Sequence, residues 1–116
     1  MPNNAQIIEK VNELIELCNK NGYWQRRNKV GSSNIRGVAS AIQNAECFKE
    51  VELYIKYKEA KRNGWDERIG TVTFANKILN HLNYLTNNIQ EEKEKLQIAS
   101  KYFGYLYWAV YTYNKD

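Results

Sequence analysis

Proline is almost missing from this sequence. The single one is Pro2, so no later segment is kept from helix by ring geometry. Histidine and cysteine are equally scarce: His81, Cys18 and Cys47 match no metal-ligand spacing, and no zinc set can be assembled from them. Both thiols are expected to be reduced and buried, acting as small hydrophobes. No charge-free run reaches the roughly 18 residues that span a bilayer. The opening MPNNAQIIEKVNELIE is amphipathic and acidic, where a signal peptide is basic and then continuously apolar. The expected location is the cytoplasm, with no membrane partner. Phosphate-cradling loops, dinucleotide fingerprints and zinc patterns are missing too. The carboxylates are scattered among lysines at helix-surface spacing, with no partnered acid and base. His81, between Asn80 and Leu82, has no visible catalytic partner and reads as a hydrogen-bonded structural histidine. The chain is therefore expected to be no enzyme, with no catalytic residue, no metal and no cofactor.

The most informative absence is one of charge. Between Glu16 and Glu46 there is no acidic residue, while Lys20, Arg26, Arg27, Lys29 and Arg36 all fall in that stretch. The net charge of +4 and pI near 9.0 make only a mild basic bias. Its segregation into one stretch is what points to an anionic partner.

What is present builds one helical domain over residues 1–116. At 43% hydrophobic and 26% charged, the composition is that of a folding chain with a single core. Apolar residues recur at steps of three and four, which predicts an all-α bundle of about five helices. The first runs from Ala5 to Lys20, burying Ile8, Val11, Leu14, Ile15 and Cys18, with Asn3 and Gln6 at capping-box spacing and Asn21 and Gly22 as its stop. Ser33 is expected to cap the second, which turns Ile35, Val38, Ala39 and Ile42 inward. That helix either stops near Asn44 or runs on into a third, Glu46 to Arg62, which places Phe48, Val51 and Ile55 together. A fourth spans Val72 to Thr86, with Ala75, Ile78, Leu82 and Leu85 facing the core. Asn88 and Glu91 then stand at capping-box spacing before a fifth that runs to about Tyr113.

Three features carry candidate function. Residues 21–32, NGYWQRRNKVGS, form a loop in which Arg26, Arg27 and Lys29 can neutralise phosphates while Tyr23 and Trp24 offer faces for base stacking. The competing reading makes the two aromatics core plugs and the arginines solubilising charge. Gly37 and Gly104 lie inside helices, where glycine costs about 1 kcal/mol relative to alanine. Either a tight helix crossing or, at Gly37 beside Arg36, a phosphate backbone would explain them. Finally, YFGYLYWAVYTY from Tyr102 to Tyr113 is uncharged on every face of its helix and needs cover all round. The row Leu96, Ala99, Phe103, Leu106, Val110 and Tyr113 is the expected internal seam, leaving Tyr105 and Trp108 as candidates for a subunit interface.

Three blocks of this sequence resemble the small all-helical subunit of type III-A CRISPR effector complexes. Gly31 to Arg36, GSSNIR, is similar to that family's Ser-Lys-Ile-Arg-Asn segment. Leu53 to Arg62, LYIKYKEAKR, resembles its Tyr- and Arg-bearing helix, and Phe103 to Lys115 its C-terminal ending. The resemblance implies a role in antiviral defence, inside a ribonucleoprotein complex. There, copies of the chain line the backbone of guide RNA and target RNA, without sequence preference and without cleaving it, beside the other subunits of the complex. It places Ser33, Ile35 and Arg36 in the matching segment, with Arg36 as a phosphate contact. Arg26, Arg27 and Lys29 rest on charge alone. The alternative is a helical adaptor that binds protein and no nucleic acid.

Overall fold

A computed structural model describes residues 1–113. Five α-helices succeed one another: α1 (Asn4–Lys20), α2 (Ser32–Gln43), α3 (Phe48–Lys61), α4 (Phe74–Thr86) and α5 (Glu92–Tyr113). One turn of 3-10 helix, Tyr23–Gln25, follows α1. The architecture is an all-α bundle, and the described residues hold no strand beyond an isolated bridge between Arg68 and Thr73. None of the described helices is long and apolar enough to cross a membrane.

The helix boundaries follow from local chemistry. The capping box forms as expected at α1: the Gln6 N–H donates to Asn3 Oδ1 at 2.9 Å and the Asn3 N–H to Gln6 Oε1 at 2.8 Å. At the other end Gly22 takes the left-handed conformation, φ 64°, that stops the helix. The buried face is Ile7, Val11, Leu14, Ile15 and Cys18. Ile7 replaces the expected Ile8, which is 38% exposed. The reason is periodicity, since Ile7, Val11, Leu14 and Cys18 are spaced by alternating steps of four and three.

α2 is capped by Gly31, so Ser33 lies in the first turn rather than at its cap. It stops at Asn44, and α3 is a separate helix. The first turn of α3 takes its cap from a distant segment: the Phe48 N–H donates to Glu92 Oε1 at 2.7 Å. That bond holds the Glu92 carboxyl below the usual carboxylate range. Thr73 caps α4, its hydroxyl accepting from the Asn76 N–H at 3.0 Å. α5 starts at Glu92, past Asn88, so the expected box between Asn88 and Glu91 does not form its cap.

α5 is the central post, packed most extensively against α2 and α1. Its buried residues are Ile98, Ala99, Tyr102, Phe103, Leu106 and Val110. The expected seam holds at Ala99, Phe103, Leu106 and Val110; Leu96 is only half-buried and Tyr113 is exposed. A globular core needs a stripe wider than a coiled-coil seam, and Ile98 and Tyr102 supply the extra width. Between α3 and α4, Trp65 and Ile69 plug the loop side of the same core.

Candidate nucleic-acid interface

The basic loop after α1 is a built structure. Tyr23 is wholly buried, its ring stacked on Phe74 with centroids 5.0 Å apart and planes 3° from parallel. Its hydroxyl accepts from the Val30 N–H and donates to the Gly64 carbonyl, both at 2.9 Å. A buried hydroxyl so paired ties both ends of the loop to the α3–α4 connection. Burial pushes the phenol well above its ordinary pKa. Trp24 is 8% exposed, with its indole N–H donating to Asn19 Oδ1 at 2.9 Å and its ring stacked on Tyr113 at 5.8 Å. Base stacking at Tyr23 and Trp24 is thereby corrected: both rings already have protein on their faces, and the core-plug alternative describes them.

The charged residues divide. Arg26 is a clamp: one guanidinium nitrogen donates to the Arg68 carbonyl at 2.6 Å and to Glu67 Oε1 at 3.2 Å, the other to the Asn21 carbonyl at 3.0 Å. These bonds satisfy backbone carbonyls, and Glu67 offsets the charge, so Arg26 holds the loop's shape. Lys29 donates to the Arg26 carbonyl at 3.0 Å while staying half-exposed. Arg27, between them, is exposed and makes no hydrogen bond or ion pair among the described residues. Ser33 is exposed on the first turn of α2. Arg36 is exposed on the same helix, lies over the Tyr107 ring at 4.7 Å and donates to the Tyr107 hydroxyl. The structure thus joins Arg26 and Lys29 directly, and ties Arg36 to α5.

One contact escaped the sequence reading. Gly64, in the loop after α3, lies against the backbone of Lys29 and Val30 so closely that a Cβ there would come within 2.5 Å of the Lys29 carbonyl carbon. The Asn63 and Gly64 pair signalled a turn, but nothing in the sequence says what the turn touches.

On the outer side of α5, Trp108 is 68% exposed and meets the half-buried Tyr105 ring edge-on at 5.8 Å. A Cβ on Gly104 or on Gly37 would meet nothing within 4 Å. Neither glycine therefore serves a tight crossing between the described helices.

His81, Tyr102 and Cys18 are buried titratable groups. His81 Nδ1 lies 2.8 Å from the hydroxyl of the fully buried Tyr102, while Nε2 is 3.6 Å from Glu13 Oε1 and within hydrogen-bonding distance of no group among the described residues. Burial, and after it the charge of Lys77, lowers the His81 pKa from 6.5 to about 4. The imidazole is thus neutral at pH 7 and shares one hydrogen bond with the Tyr102 hydroxyl, whose direction follows the tautomer. Burial pushes the Cys18 thiol up to about 12, which makes it an unreactive core residue. Among the described residues no three His, Cys, Asp or Glu side chains are grouped to hold a metal ion. Comparison with protein-family models, curated proteins and solved structures gives no match for this chain.

Proposed function

We propose that this chain is a non-catalytic, RNA-contacting small subunit of the kind found in type III CRISPR effector complexes. In this reading it works in the cytoplasm, lines the path of guide RNA and target RNA through backbone contacts, and leaves sequence recognition to base pairing. The observation that carries the proposal is the 17–45 stretch, which holds no acidic side chain. Within it Arg27 is exposed and uncommitted among the described residues, on a loop kept rigid by Tyr23 and Arg26. A rigid loop presenting a cation loses little entropy when a phosphate binds. Arg36 and Ser33 extend the basic side onto α2, where Tyr107 orients the guanidinium.

Titrating a labelled single-stranded RNA with the protein at several salt concentrations tests this. Binding should be sequence-indifferent and fall steeply with salt. Replacing Arg27 by alanine should flatten the log–log slope by about 0.7 for the one phosphate it neutralises. Arg27 is the informative position because changing Arg26 or Lys29 also removes bonds that shape the loop. Absence of salt-dependent binding would turn the reading toward a helical protein adaptor. The exposed Trp108 beside Tyr105 favours that second reading, and within the first it is the surface offered to neighbouring subunits or further copies of the chain.

A further inference from the structure

α3 ends on three successive residues at positive φ: Arg62 at 75°, Asn63 at 51° and Gly64 at 97°. Asn63 and Gly64 are the centre of a four-residue turn, closed by the Trp65 N–H donating to the Arg62 carbonyl at 3.0 Å. Positive φ at both central positions is what an Asn-Gly pair is suited to. Gly64 has a second constraint, since a Cβ there would stand 2.5 Å from the Lys29 carbonyl carbon and 2.6 Å from the Val30 nitrogen. The end of α3 is thus pressed onto the backbone of the basic loop, and the Tyr23 hydroxyl bonds both sides of the contact.

Arg62 lacks the reason that its two neighbours have. Its φ of 75° with ψ of −115° belongs to the mirror-image extended region, which glycine enters freely and an L side chain enters only under strain. Its backbone N–H donates to the Glu59 carbonyl at 3.0 Å, a bond that glycine would make equally well. The side chain is exposed and makes no hydrogen bond or ion pair among the described residues, so nothing inside the fold recompenses the strain. Lys61 beside it is exposed, 5.3 Å over the ring of Tyr57, which is itself 51% exposed.

We propose that Lys61 and Arg62, joined to Arg27 and Lys29 through the Gly64 contact, form one continuous phosphate-binding surface for single-stranded RNA, with Tyr57, half in solvent beside Lys61 and 5.9 Å from the Tyr54 ring, as its aromatic contact. The proposal rests on the RNA reading above and adds to it a site on a second, sequence-distant segment. It accounts for an arginine standing where glycine fits the backbone better. It also supplies the aromatic contact that the buried Tyr23 and Trp24 do not.

The full chain, titrated with fluorescein-labelled oligouridylate over a salt series, decides it, with thermal melts run on the same samples. Arg62→Gly releases the strain, so the expected result is a melting midpoint raised by a few degrees together with a log–log salt slope flattened by about 0.7. Lys61→Ala, at an exposed helix position where alanine is a good helix former, should flatten the slope similarly with the midpoint nearly unchanged, and the double change by about 1.4. Tyr57→Ala should weaken binding without altering the slope. If wild type binds with a steep salt dependence and neither Arg62→Gly nor Lys61→Ala alters the slope, the second segment is no part of the surface, while the RNA reading stands. If Arg62→Gly weakens binding only by lowering the midpoint, Arg62 is structural and the proposal is overturned. If wild type itself does not bind, the RNA reading and this extension of it fall together.

Discussion

The loop after α1 and the outer side of α5 are both rich in aromatics, and the fold treats them oppositely. Tyr23 and Trp24, just ahead of a pair of arginines, are sealed inside, whereas Trp108, in a run without a single charge, stands in the open. Neighbours in sequence therefore say little about exposure. The two loop rings are buried with their polar atoms satisfied: the Tyr23 hydroxyl bridges Val30 and Gly64, and the Trp24 indole N–H reaches Asn19. Trp108 lies on the side of α5 away from the buried Leu106 and Val110, and none of the other described helices covers it.

The sharpest way to break this contrast is Tyr23→Ala. It empties a fully buried ring site and strands the Val30 N–H and Gly64 carbonyl, so a loss of about 3 to 5 kcal/mol in denaturant unfolding is expected. Leu106→Ala, on the inner side of α5, should cost about 2 to 5 kcal/mol by the same measurement. A smaller effect comes from pH, through Tyr102, the buried aromatic whose hydroxyl meets His81. The groups facing that imidazole are Glu13 and Lys10 of α1, Lys77 of α4 and Tyr102 of α5. Unfolded His81 takes up a proton below its ordinary pKa of 6.5, but the folded residue does so only near 4. Stability from this pair is thus complete above pH 6.5 and is lost as pH falls toward 4. The loss is on the order of 2 kcal/mol once solvent reaching the Glu13 side is allowed for. Urea unfolding at several pH values should show that slope in wild type and a shallower one in His81→Gln. The smallest effect belongs to Trp108→Ala, which should change monomer stability by no more than about 0.5 kcal/mol. Its consequence should appear instead in self-association or complex assembly, measured by sedimentation. A Trp108→Ala protein that melts early yet associates normally would place Trp108 in the core and erase the contrast.

Elements whose signal is local were legible beforehand. The Asn3 and Gln6 box, the Asn21 and Gly22 stop and the inward faces of α3 and α4 depend on residues within two turns of one another. Local signals also misled, at Ile8, at Ser33 and at the Asn88 and Glu91 box, and the other misses depend on partners far along the chain. Ser33 gave way to Gly31 as the α2 cap, and the cap of α3 arrives from Glu92, which no local pattern announces. Arg26 looked like a phosphate ligand because its acceptors, the Arg68 carbonyl and Glu67, are distant in sequence. The basic loop itself was visible as charge; which of its cations are committed was not. Arg27 and Lys29 have the same charge, yet the fold engages Lys29 and leaves Arg27 without a bond among the described residues.

The position of α5 has a consequence for how the chain comes off the ribosome. α1 and α2 find their main apolar cover on α5, the last of the five described helices in chain order, and the cap of α3 waits for Glu92 as well. Until the segment through Val110 has emerged, the nascent protein is a string of amphipathic helices with uncovered faces. Closure then depends on contacts of long sequence separation, so the core cannot form before α5 is available. Chains stalled before α5 are the ones that holdase chaperones should capture, and release should follow completion of the helix.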